Sequence, residues 1–453
     1  MTTGEEKVSE GPSKPIVGIF ISPELLEDWL EHIDISFEAF LSEMMGSWIF
    51  GYIESLKLAG IEPVMLCVSN RVSVTACFSH RPTGAMICIL PATRLHKFLC
   101  QVRRVSADLN FKGAYVIKGG LRILCEYIST PIMPFRHELR RGGYAAILVQ
   151  DYETARFDIC VMLGKLSGVP VYGTFQGGVP SRKIFQVLRM QTVKRCAGLI
   201  VAAEMEAERV KNSYALPSAS VARIYNPLDI ALWGPVDKFH ARDELGIPRH
   251  AEVAIWHGRI DLDYKGLDIL IEAWERVCKL RSTAELRLIL IGTGPDSDEL
   301  DSVIKKRQVR GVVRMNKWVH DTVILRKYLG CADIFVFASR GEGFPVAPME
   351  AMACGLPVVA SDASGMQDIL NDGWNSGGIV VPRNDPHRLS VEIVRVLSDR
   401  TWREELGQCA RRRIEAAFSL RVIGAQLANV LLGTSTVKPV PANLHMRGGS
   451  HAQ

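Results

Sequence analysis

Two doubly wound, Rossmann-like α/β domains are predicted by three observations. The chain has 453 residues, too many for one hydrophobic core and suited to two or three domains of roughly 100–200 residues each. Short β-branched runs alternate with helix-length periodic segments along most of it. Those runs are nearly continuous in apolar residues, whereas a sheet with one wet face would alternate apolar with polar. Parallel strands covered by helices on both faces satisfy that pattern.

In chain order, residues 1–14 are polar and aperiodic and are expected to be disordered. A first domain over 15–221 carries strand candidates at 16–22, 63–69, 85–90, 145–151, 170–175 and 198–203. Between the first two lie a long acidic insert, 23–43, and a helix over 49–60. Turn-forming residues in ARIYNPLDIALWGPVDKFHARDELGIPRH mark a linker at 222–250. The second domain, 251–415, carries strand candidates at 252–258, 286–292, 312–318, 333–339, 357–361 and 378–382. A terminal helix follows at 416–433; its stretch Leu420 to Leu432 is apolar at helical spacing and needs a surface to pack on. Residues 434–453 lack periodicity and are expected to be a disordered tail.

Composition narrows the function classes. A hydrophobic share of 47% against 23% charged excludes a chain disordered throughout. No run approaches the roughly 18 apolar residues of a spanning helix. The acidic, polar N-terminus does not read as a secretory signal. The 11 cysteines are scattered, odd in number and without a CxxC pair. That argues against a disulfide framework or a zinc ribbon and for reduced thiols in a cytoplasmic protein. Charge is uneven: residues 1–50 hold 2 Lys/Arg against 10 Asp/Glu, while residues 51–200 hold 20 against 8. Basic clusters at 94–104, 136–141 and 182–195 read first as solvated faces, and second as a face meeting anionic lipid or an acidic acceptor. Peripheral contact with the inner face of a membrane is therefore left open. No aromatic interleaving accompanies the charge, which argues against nucleic acid.

The chemistry is expected beyond the carboxyl ends of the strands. After the strand at 333–339 comes Arg340-Gly341-Glu342-Gly343-Phe344-Pro345-Val346-Ala347-Pro348-Met349-Glu350. Pro348 suits the first turn of a helix, which puts Glu350 in the same turn. Free N–H groups at such a helix start can hold a phosphate. Two carboxylates eight residues apart can grip hydroxyls on either side of it, the layout of a sugar, a diphosphate and a ribose. Without the surrounding string, two Glu at this spacing favour a packed helix whose Glu350 complements the dipole.

The string Glu342-Gly-Phe-Pro…Glu350-Ala-Met-Ala-Cys-Gly-Leu-Pro closely resembles the E-x7-E motif of family 4 of the retaining glycosyltransferases. HGRIDLDYKGLDILIEAW (257–274) is similar to the family's Arg…Lys-Gly segment, and LILIGTGP (288–295) to its Gly-x-Gly-Pro turn. The resemblance is strong over roughly 250–400 and weak before it. It implies the two-domain GT-B fold, with the two Rossmann-like domains facing each other across a cleft, and a retaining, metal-independent transfer of a hexose from a nucleotide diphosphate sugar to a hydroxyl acceptor, whether polysaccharide, lipid or small molecule. No cofactor is implied. Arg259 and Lys265 would neutralise the departing diphosphate, and Glu342 would contact the donor sugar. Glu350 would take the ribose hydroxyls, Gly343, Phe344 and Pro345 would line the space between, and Val319 would border the base.

The first half departs from the family. Gly46 is the lone glycine where a glycine pair is usual in the turn facing the donor phosphates. Gln176 stands where a histidine often meets the donor sugar, and an amide cannot take up a proton at neutral pH. Asp151, at another strand end, is a candidate for orienting the acceptor, with a purely structural role equally open. The insert at 23–43 fits a cap on the acceptor side and a peripheral helix equally well. Asp261-Leu262-Asp263 spells a D-x-D metal motif but reads better as a solvated acidic loop. His257 reads as a packing or turn residue. Two other function classes stay open: a nucleotide-sugar-binding protein without transfer, and an epimerase or phosphorylase of the same fold. No lysine is singled out for the pyridoxal phosphate a phosphorylase needs.

Overall fold

The computed structural model describes residues 14–21, 25–33, 35–45, 48–96, 98–99, 102, 114–175, 186–319 and 321–433. Gly46, Gln176, residues 1–13 and the 434–453 tail lie outside the described residues.

Two sheets organise the chain. The first comprises β1 (Ile16–Phe20), β2 (Glu62–Ser69), β3 (Ala76–Ser79), β4 (Met86–Pro91), β5 (Tyr144–Gln150), β6 (Val171–Thr174), β7 (Gly198–Val201) and β8 (Val221–Arg223). Their spatial order is β3-β4-β2-β1-β5-β6-β7-β8. All neighbours are parallel except β3, which runs antiparallel to β4. The second comprises β9 (Glu252–His257), β10 (Leu286–Ile291), β11 (Val312–Met315), β12 (Ile334–Phe337), β13 (Val358–Ser361) and β14 (Gly378–Val381). Its order is β11-β10-β9-β12-β13-β14, parallel throughout. The chain starts each sheet in the middle and later reverses direction, so the switch points fall between β1 and β5 and between β9 and β12. Open α/β sheets bind ligands at such points.

Each sheet is covered on both faces. In β5, Ile147 and Val149 enter one buried cluster, while their neighbours Ala146 and Leu148 enter another. β9 divides likewise, with Val253 and Ile255 on one side and Ala254 and Trp256 on the other. Full burial of one such side chain contributes roughly 1.5–3 kcal/mol, which explains why these strands read as unbroken apolar runs. Every strand expected from the sequence is present. The additional strands, β3 and β8, have 4 and 3 residues; β3 is half exposed and sits at the sheet edge, where burial imposes no apolar run.

The β3–β4 ladder corrects one expectation. Antiparallel pairing sets Cys77 directly opposite Cys88, with the Cα atoms 4.2 Å apart, and the two form a disulfide. Their sequence separation of 11 hides what the hairpin register makes adjacent. The acidic insert forms two short helices, Leu26–His32 and Phe37–Ser42. Leu26, Leu30 and Phe40 from these enter the core of the first lobe.

The stretch joining the lobes is tied down on both sides. Its helix Lys238–Leu245 carries Arg242, which with Lys238 pairs to the buried Asp333 at 2.8 and 3.0 Å. Burial works to raise the Asp333 carboxyl, but Lys238, Arg403 and Arg242 outweigh it and hold it below the ordinary range. The chain returns to the first lobe at its end. Leu228 pairs with Ser419 in an isolated bridge, and the helix Leu420–Leu432 buries Ile423, Leu427 and Leu431 in the first lobe's core. Gly424 lies so close to the helix Trp48–Leu58 that a Cβ there would stand 2.1 Å from the Ser55 carbonyl oxygen. Among the described residues, no helix is long and apolar enough to cross a membrane.

Candidate functional site

The site is assembled at the β9/β12 switch point. After β9 the chain passes Gly258 and Arg259 and enters a one-turn helix, Leu262–Lys265, whose N-cap is Asp261. The Asp261 carboxylate accepts the Tyr264 N–H at 2.9 Å and the Arg259 guanidinium at 3.1 Å. Asp263 points into solvent, so the D-x-D letters are a cap followed by an exposed acid. Gly266, at φ +61°, ends the turn where a Cβ would stand 2.1 Å from the Ala338 carbonyl oxygen. This close approach gives Lys-Gly its physical meaning: glycine lets the turn lie against the end of β12. Gly294 does the same for the Gly-x-Gly-Pro turn, where a Cβ would stand 2.0 Å from the Ile260 oxygen.

Arg340 clamps the two loops together. It donates to both carboxylate oxygens of Asp268 at 2.9 and 2.7 Å, to the Asp263 carbonyl at 2.9 Å and to Asn384 at 2.5 Å. Its own N–H donates to the Tyr264 carbonyl at 3.0 Å. The result is that Lys265 Nζ donates to Glu342 Oε1 at 2.7 Å, with the two side chains only 18% and 9% exposed. Arg259 is freer, at 52% exposed.

Glu350 is held elsewhere. It lies in the helix Ala347–Ala353, whose N-cap Val346 supplies no side-chain cap. Its Oε2 stands 3.3 Å from Nε2 of His257, the last residue of β9. Burial drives both groups toward their neutral forms, the His257 ring down to about 4 and the Glu350 carboxyl up to about 8. No local pattern marks this contact, because 93 positions separate the partners and only the sheet order brings them together. Val319 is half-buried against the second lobe's core beside exposed Trp318.

Phe344 lines the interlobe cavity and has a second set of contacts as well. Its ring is buried and stacks on Tyr225 at 5.4 Å, and Tyr225 in turn stacks on Phe418 at 4.7 Å. The Arg413 guanidinium lies over Tyr225 and Phe418 at 5.9 and 5.1 Å. Phe344 thus belongs to an aromatic stack at the two chain crossings, with part of its surface left on the cleft. Gly365 packs against both Phe344 and Pro345; a Cβ there would stand 3.0 Å from each.

A cavity of about 300 Å³ opens between the lobes. The second lobe lines it with Glu342, Gly343, Phe344 and Ser364, and the first with Phe175, Ala202, Ala203, Met205, Glu206 and Arg209. Arg209 is fixed by two bonds to Glu206, at 2.7 and 2.8 Å, and one to Glu153 at 3.0 Å. The Tyr152 hydroxyl donates to Glu206; burial, then the adjacent Glu206 charge, raises it well above the ordinary phenol range. Asp151 precedes Tyr152 at φ 57°, with its N–H donating to the Thr174 carbonyl at 2.7 Å. It does not line the cavity itself. Glu206 and Arg209 were not singled out from sequence, since a charged helix over Glu204–Tyr214 reads as a solvated face.

Residues 251–399 match the family described as Glycosyl transferases group 1. The D-inositol 3-phosphate glycosyltransferase of Kineococcus radiotolerans is 27% identical over 53% of this chain and 58% of its own length. A GDP-mannose-dependent monoacylated alpha-(1-6)-phosphatidylinositol monomannoside mannosyltransferase of Corynebacterium glutamicum is 27% identical over 48% of this chain and 55% of its own. The chain thus spans little more than half the length of these curated relatives. Among solved structures, a sucrose-phosphate synthase from Thermosynechococcus elongatus superposes with a TM-score of 0.65 at 19% identity, covering 92% of this chain and 98% of that one. Anabaena HepE in complex with UDP superposes at 0.64 and 15% identity, covering 92% of this chain and 100% of that one. The chain has the GT-B fold, and its resemblance to the group 1 glycosyltransferases is concentrated in the second lobe.

Proposed function

We propose that this chain, whose second lobe carries the group 1 glycosyl transferase pattern, moves a hexose from a nucleotide diphosphate sugar to a hydroxyl acceptor, with retention and without a metal ion. The observation that carries it is the Lys265–Glu342 ion pair at the β9/β12 switch point, bordering the interlobe cavity. A departing diphosphate gains negative charge, and a cation already fixed beside it lowers the barrier. Lys265 is such a point charge, and Arg259 adds a planar fork within reach of solvent. Glu342 holds Lys265 in place and offers its remaining lone pairs to sugar hydroxyls. Metal independence is supported by the occupation of Asp261, whose carboxylate already caps a helix and pairs with Arg259.

Retention follows from the family resemblance, in which the acceptor attacks from the leaving group's own face and needs no protein nucleophile. The engagement of Glu342 with Lys265 agrees with that. A UDP complex among the structural neighbours and a GDP-mannose-dependent relative motivate UDP and GDP as the first bases to test. The inositol-based acceptors in the relatives' names motivate a hydroxyl acceptor.

The test is a thermal-shift screen with UDP, GDP, ADP and TDP, followed by donor turnover with a panel of hydroxyl acceptors. A bound nucleotide at a hundred times its Kd adds about 2.7 kcal/mol of stability. Binding with no turnover against any acceptor would favour a nucleotide-sugar-binding protein. Failure of every nucleotide to shift the melting curve would overturn both.

A further inference from the structure

The His257–Glu350 contact joins the second glutamate of the E-x7-E string to a histidine two residues before Arg259, for which the motif resemblance supplies no role. Two buried ionisable side chains meet there, from the end of β9 and the first turns of the following lobe helix. The His257 ring hydrogen-bonds the backbone of Ala347, an interaction that favours the charged ring and is therefore donated to the carbonyl. Nε2 takes part in no hydrogen bond of its own, so that donor is Nδ1. Nε2 is then a lone pair, 3.3 Å from a carboxyl oxygen. A bare carboxylate there would bring two lone pairs close together, and a proton on either atom removes that repulsion.

We propose that His257 is the positioning residue for Glu350: the two share one proton, which pins Oε2 inward and turns the other carboxyl oxygen toward the ribose hydroxyls of the donor. The inference rests on nucleotide binding at this cleft. In the free protein the proton sits on Glu350, whose Oε2 stands 3.3 Å from Nε2. When a ribose hydroxyl donates to the outer oxygen, carboxylate character rises and the proton moves toward Nε2, so Glu350 acts as an anion without an isolated buried charge. No proton leaves the pair. Burial is the sole resolved cause raising the Glu350 carboxyl, so none of the charges nearby accounts for its state. The remaining groups around it are the Cys354 thiol at the helix end, with Arg326 and Arg411 beyond that thiol, and the Phe335 ring edge against His257 at 5.5 Å.

The experiment measures Kd for the tightest of UDP, GDP, ADP and TDP by calorimetry between pH 7 and 9, in full-length wild type and variants. Wild type is expected to bind more weakly as pH rises past about 8, where the shared proton is lost. His257→Leu is expected to weaken binding about tenfold at pH 7 and to lack that decline, because an unpartnered Glu350 becomes a better acceptor as it ionises. Glu350→Gln, whose amide donates permanently to Nε2, is expected to be flat across the range. His257→Gln, which places an amide oxygen near Nε2, is expected to recover most of the affinity lost in His257→Leu, and it serves where His257→Leu does not fold. Binding by wild type that strengthens with pH, or a His257→Gln profile identical to wild type at every pH, would refute the shared proton while leaving the proposed function intact. Absence of nucleotide binding in wild type at all pH values would remove both.

Discussion

The Asp368 carboxylate, in the second lobe, accepts the backbone N–H of Glu204, in the first, at 3.2 and 3.3 Å. Glu204 opens the helix Glu204–Tyr214, whose own N-cap, Ala203, has no side chain able to cap it. One lobe therefore caps a helix of the other, and Arg223 braces the contact by pairing with both Asp368 and Glu204.

Asp368→Ala is expected to loosen the interlobe contact at a cost of about 1 kcal/mol, the usual worth of a helix cap. X-ray scattering of the nucleotide-free variant should give a larger radius of gyration than wild type. Identical curves would mean that Asp368 does not hold the lobes together.

Lys265→Ala is expected to abolish transfer and also to lower stability, by on the order of 2 kcal/mol, because it strands Glu342 at 9% exposure without its cation. The double variant Lys265→Ala with Glu342→Ala should melt higher than Lys265→Ala alone. A double variant no more stable than the single one would count against the pair's mutual dependence.

The His257–Glu350 pair fixes a pH window for stability. Unfolded, the glutamate titrates near 4.5 and the histidine near 6.5; folded, they move to about 8 and about 4. Between 4.5 and 6.5 each state holds one proton on the pair, so its contribution is level. From 6.5 to about 8 the folded state holds more protons than the unfolded one, so stability falls as pH rises. Chemical denaturation at pH 6 and pH 8 should show a smaller decline in Glu350→Gln than in wild type.

Asp151 holds φ 57°, a left-handed conformation that a Cβ makes costly. Asp151→Gly is expected to be about 1 kcal/mol more stable than Asp151→Ala in urea unfolding. Both should lose acceptor-dependent turnover equally if the carboxylate orients the acceptor; turnover like that of wild type in Asp151→Gly would remove it from the site.

The candidate site of the second lobe is legible because it lies in short segments: β9 to Lys265, and Glu342 to Glu350, each on one loop or helix. What escaped was contact between segments. His257 read as packing because its meeting with Glu350 depends on β9 and β12 being neighbours, which no local pattern encodes. Phe344 lines the cavity its motif points to, but its stacking on Tyr225 from the joining stretch leaves no local trace. Cys77 and Cys88 looked unpaired because a four-residue edge strand leaves no periodic trace. Glu206 and Arg209 have the composition of any wet helix, and only their position under the cavity sets them apart.

The last helix among the described residues, Leu420–Leu432, completes the first lobe rather than the second. During synthesis, the face of Trp48–Leu58 that this helix covers therefore stays open until the chain as far as Leu432, and with it the second lobe's strands, has left the ribosome. Truncation shortly before Leu420 should yield a product whose defect lies in the half farthest from the cut, visible as protease sensitivity near Ser55.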